Sequence, residues 1–86
     1  MKVVDLTNVR RKETPLYYRK EFQADAILQF LEETTSAPVE FVLEHKATGG
    51  VEVRVTLTGD LDYPIMPVVA NLKRYILDLH QRGSLP

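Results

Sequence analysis

The side chains able to do chemistry are few and far apart. His45 and His80 are the only imidazoles, and cysteine is absent, which excludes thiolate nucleophiles, disulfides and thiolate metal ligands. A metal centre needs three or four converging ligands, and neither histidine is followed by another at helical spacing. His45 is expected on the inward parity of a strand, closing one end of the core. His80 is expected in a last helical turn, beside free carbonyls. Asp60 and Asp62, next to Tyr63, could offer oxygens to a hard cation. The further spaced acids of a calcium loop are missing, however, and negative charge also suits the entry to a helix. Ser36 and Ser84 have no histidine or acid arranged to activate a hydroxyl. Gly49 and Gly50 lie between strands and open no helix, so they make a turn and not a phosphate cradle. No catalytic residue, metal site or cofactor is predicted, and the chain reads as a non-enzyme.

Two features point instead to binding. Arg10, Arg11, Lys12, Arg19 and Lys20 surround Tyr17 and Tyr18, concentrating five of the eleven basic residues in one short stretch. Cations for phosphates and aromatic faces for unpaired bases are how single strands are held, so this segment is a candidate RNA- or DNA-binding surface. Glu13 and Glu21 dilute it, and a net charge of −1 lacks the basic excess of a general polyanion binder. The second feature is a partner surface. Met66, Ala70 and Leu77 fall outside the main apolar stripe of the last helix, as Phe30 does for an earlier one. A contiguous stripe of that kind invites a partner.

The elements that position these residues follow from periodicity. Ile65, Val68, Val69, Leu72, Tyr75, Ile76 and Leu79 keep the i, i+3, i+4, i+7 rule. Pro64 and Pro67 suit the first turn and Gly83 the C-terminal cap. Ala24, Ile27, Leu28 and Leu31 repeat the rule, predicting a helix over 22–35 with Glu32 and Glu33 on its wet face. Its start admits two readings, a Thr14-Pro15 cap or a short extended segment through Leu16, Tyr18 and Phe22. Between these helices the odd-numbered residues Val39, Phe41, Leu43, Val51, Val53, Val55 and Leu57 form the dry face of a hairpin. A turn over 48–50 would oppose Glu44 with Arg54 and Lys46 with Glu52. A turn over 47–49 would oppose Glu44 with Glu52, so the first register is preferred. The N-terminal Val3–Leu6 supplies one more strand, for which a parallel pairing would need a right-handed crossover.

Together these give one domain over 1–86 with a short tail at 84–86. It is α+β, a two-layer sandwich of order β-α-β-β-α with a possible extra short strand near 16–22. Both helices pack on one face of a small mixed sheet. With 44% apolar and 27% charged residues, the composition is that of a globular domain. Residues 1–8 lack a secretory pattern, and no run reaches the roughly 20 apolar residues of a bilayer span. The cytoplasm is the expected compartment, with no membrane partner. Because so short a chain buries little surface, a second copy is the expected partner. The functional expectation is a self-associating interaction module; the alternative is RNA binding through segment 10–20.

Overall fold

A computed structural model describes all 86 residues. Four strands are followed by one helix: β1 (Lys2–Lys12), β2 (Arg19–Phe30), β3 (Glu33–His45), β4 (Val51–Leu57) and α1 (Ile65–Gln81). The strands form a single antiparallel sheet in the order β1-β2-β3-β4. The helix covers one face, its backbone approaching closest to the two edge strands.

This overturns the two-helix sandwich and the mixed sheet. Residues 22–35 are not a helix but the end of β2, a two-residue turn at Leu31-Glu32, and the start of β3. The reason lies in two periods that share residues. Ala24 and Leu28 satisfy both a helical and an alternating pattern, but Phe22, Ala24, Ala26, Leu28 and Phe30 alternate without a break, and all five are buried. The helical reading would have buried Ile27 and Leu31, yet Ile27 lies on the open face and Leu31 is 96% exposed. Pairing with β1 on one side and β3 on the other overrides local helix preference. The extended segment near 16–22 survives only from Arg19 onward, with Leu16 to Tyr18 forming the preceding turn region.

The N-terminal strand exists, but it lies at the sheet edge and runs antiparallel to β2, so no crossover is involved. Its register shifts between Val3 and Asp5 and again between Thr7 and Arg10. Each shift adds a residue to β1, so the helix-facing side passes from Val3 to Leu6 to Arg11, the partners of Leu28, Ala26 and Phe22. Asn8 sits at the second bulge with φ 52°.

In the β3–β4 hairpin the odd-numbered face is dry as expected: Val39, Phe41, Leu43 and Val53 are buried. The register is the one not preferred. Glu44 faces Glu52, and Phe41 faces Val55. Gly49 N–H donates to the Lys46 carbonyl at 3.0 Å, and Lys46 N–H to that of Gly50 at 3.1 Å. This makes a turn over 47–49 with Gly49 and Gly50 at φ 92° and 84°. A like-charge pair across strands is unfavourable by at most about 1 kcal/mol. Residues outside the hairpin's cross-strand pairing offset it: Arg19 of β2 reaches Glu44 at 3.9 Å, and Arg54 turns along its own strand to Glu52 at 3.4 Å.

The last helix stands where its sequence puts it. Val68, Leu72 and Ile76 are buried, and Val69, Tyr75 and Leu79 half-buried, while Ile65 at the mouth is 54% exposed. Asp60 and Asp62 precede the helix, and its first turn holds no acid. At the other end Gly83, at φ 67°, donates to the His80 carbonyl and Ser84 to that of Leu79. These are the paired bonds of a glycine-based helix stop. The core is wholly apolar. Phe22 and Phe41 stack at 4.8 Å at its centre, and burying each such side chain stabilises the fold by about 1.5–3 kcal/mol.

Candidate interaction surfaces

The basic and aromatic residues of 10–20 are divided by the β1–β2 pairing. Arg10, Arg11 and Lys12 close β1, Tyr17 and Tyr18 lie in the connection, and Arg19 and Lys20 open β2. Arg11 and Lys20 pair with Phe22 and Leu43 and so stand on the helix side. Arg10, Lys12 and Arg19 stand on the open face. Two of these cations are engaged. Lys12 meets Glu40 at 3.1 Å, and with Gln23 it donates hydrogen bonds that lower the Glu40 pKa. Arg19 lies within 3.8 Å of Glu21 and 3.9 Å of Glu44. Lys20 borders a 170 Å³ cavity with His80 and Leu85. The segment is therefore not one basic patch.

Its tyrosines do share a site, with residues that sequence spacing did not group with them. Tyr17 is 94% exposed and meets Tyr18 edge to face at 5.9 Å. Both line an open cleft of about 540 Å³ with Glu44, His45, Lys46 and Ala47 from the β3–β4 turn. His45 N–H donates to the Tyr18 carbonyl at 2.8 Å and ties the two loops together. His45 is exposed and does not close the core from within. Its ring lies 5.8 Å from that of His80.

The stripe expected on α1 is likewise divided. Met66 is 82% exposed and Ala70 exposed, but Leu77 is half-buried against the core. Phe30 is buried and stacks on Tyr63. Tyr75, also on α1, donates to the Val4 carbonyl at 3.4 Å and holds the β1 edge. Burial, and then the charge of Asp5, raises its pKa.

The surface that sequence reasoning passed over is the free edge of β4. Thr58 N–H donates to the Pro38 carbonyl at 3.0 Å, and Lys46 bonds Gly50 at the other end of the ladder. By the alternation of antiparallel pairs, the even-numbered residues of β4 bond β3. Val51, Val53, Val55 and Leu57 thus turn their backbone N–H and C=O groups outward, where no strand pairs with them. The available signal was the run Val51–Leu57 itself: three alternating valines, no proline and no lysine. Such an edge is a template for another strand.

Fold and surfaces together define a four-stranded antiparallel meander with one face under a single C-terminal helix, the other face open, and one regular edge unpaired. Residues 1–81 match the BB-0187 family, and the chain belongs to that family. No curated protein and no solved structure matches it. No helix is long and apolar enough to cross a membrane.

Proposed function

We propose that this protein is a non-enzymatic interaction module that self-associates as a homodimer by strand addition at the β4 edge. One observation carries the reading: Val51–Leu57 is a regular, uncovered edge strand whose outward backbone groups have no partner. Leaving such an edge bare invites pairing, and pairing it with a second copy also enlarges the buried area of a small domain. A cysteine-free chain suits a reducing, cytoplasmic setting. Sedimentation of the purified chain at about 100 μM tests this, since mass action makes any weak dimer visible there. A dimer that Val55→Pro converts to monomer supports the reading. A strict monomer overturns it.

A second reading rests on a separate observation. The Tyr17–Tyr18 pair over the cleft with His45 and Lys46 offers an aromatic platform beside a cation, which suits an unpaired base and its phosphate. Fluorescence anisotropy with labelled RNA and DNA oligonucleotides at low salt is the check. Binding that weakens steeply with salt and is lost in Tyr17→Ala would support it. No binding to either oligonucleotide removes it.

A further inference from the structure

We infer that two copies join at β4 in one antiparallel register, with Val53 opposite Val53, so that Glu52 of each copy faces Arg54 of the other. The inference rests on the edge reading above and specifies its geometry. Three constraints select the register. First, the helix-side face must stay continuous, so an odd-numbered residue must oppose an odd-numbered one. The two-fold pairings that keep most of both strands in contact are centred on Glu52, Val53, Arg54 or Val55. Centring on Glu52 sets carboxylate against carboxylate, and centring on Arg54 sets guanidinium against guanidinium. Centring on Val55 sets Arg54 against the neutral Thr56. Only Val53 at the centre brings unlike charges together.

Second, the backbone agrees. Val51, Val53 and Val55 already aim N–H and C=O outward, so Val53 with Val53, and Val51 with Val55 in both directions, become bonded pairs, about six hydrogen bonds in all. The two-fold axis then stands perpendicular to the sheet, doubling the four strands and setting both helices on one side.

Third, the single chain is left with a charge that this register answers. Glu52 has Glu44 on its β3 side, and its one cation is Arg54, curled back along the strand at 3.4 Å with its side chain two-thirds exposed. The free side of Glu52 is where Arg54 of the second copy arrives. The same register carries the Lys46 turn of one copy toward the Thr58–Asp60 end of the other, again a cation toward an acid.

Charge swaps on the full chain test the register. Glu52→Arg and Arg54→Glu each create two like-charge pairs in a homodimer, and each is expected to weaken association about tenfold. The double variant E52R/R54E restores both attractions and is expected to dimerise like the native chain. Mixing the two single variants is expected to give a heterodimer, identified by its mass in native mass spectrometry. Both side chains lie on the wet face, and circular dichroism checks that each variant folds. A native dimer indifferent to the swaps overturns this register while leaving the edge reading intact. A native monomer overturns both.

Discussion

The two edges of one sheet are built in opposite ways. The β1 edge is eleven residues long, broken by two register shifts, strained at Asn8, and ends in Arg10, Arg11 and Lys12. Bulges and charges of this kind discourage a further strand. The β4 edge is seven residues with unbroken pairing. Tyr75 of α1 also anchors β1 through the Val4 carbonyl. A sheet that blunts one edge and leaves the other regular has a directional surface, and the contrast locates where a partner strand can be accepted.

The largest effect breaks the comparison by removing what lies behind it. Phe41 stacks on Phe22 and pairs with Val55, so Phe41→Ala is expected to cost about 3–5 kcal/mol. Urea unfolding measures the loss, and hydrogen exchange should show β4 amides losing protection before those of β2.

Prolines sharpen the contrast. Val55→Pro removes an outward N–H and should leave the single chain near native stability while abolishing association. Arg54→Pro removes an inward N–H from the ladder and should cost at least about 2 kcal/mol. Thermal melts paired with sedimentation separate the two, and equal destabilisation by both would contradict the assigned alternation of β4.

A third change acts at the opposite end of the molecule. Leu31 holds φ 54° in the turn between β2 and β3, a conformation that glycine adopts without strain. Leu31→Gly is expected to raise stability by about 1 kcal/mol, as relief of the backbone strain outweighs the extra freedom of the unfolded chain. Its effect on association should be nil, because the turn is remote from β4.

The smallest effect concerns the open face. Lys12 and Gln23 hold the Glu40 pKa below its ordinary value. A carboxylate with a lower pKa when folded adds stability above its unfolded pKa, and that contribution fades as pH falls through the folded one. Lys12→Met should move the Glu40 titration back toward the ordinary carboxylate range in an NMR pH series. The β4 edge should keep its association across the same neutral range.

How much was legible from sequence varied with the distance over which each feature is decided. The hairpin's dry face was readable because Val39 to Leu43 and Val51 to Leu57 alternate cleanly. The charge stretch at 10–20 was visible too, but not its division between two faces, because β1 changes parity at bulges that no local pattern announces. The cleft joining Tyr17 and Tyr18 to His45 and Lys46 was hidden for the same reason, since its two halves are far apart in the chain.

The amino-acid order by itself determined α1, from its apolar stripe to the stop at Gly83, because helix bonds and caps link residues only a few positions apart. It also determined which face of β3 and β4 is dry. Tertiary structure alone decided that residues 22–35 are two strands, since Ala24 and Leu28 fit either period until β1 and β3 pair alongside them. It likewise decided the hairpin register, where Arg19, arriving from β2, offsets a Glu44–Glu52 opposition that looks unfavourable within the hairpin alone.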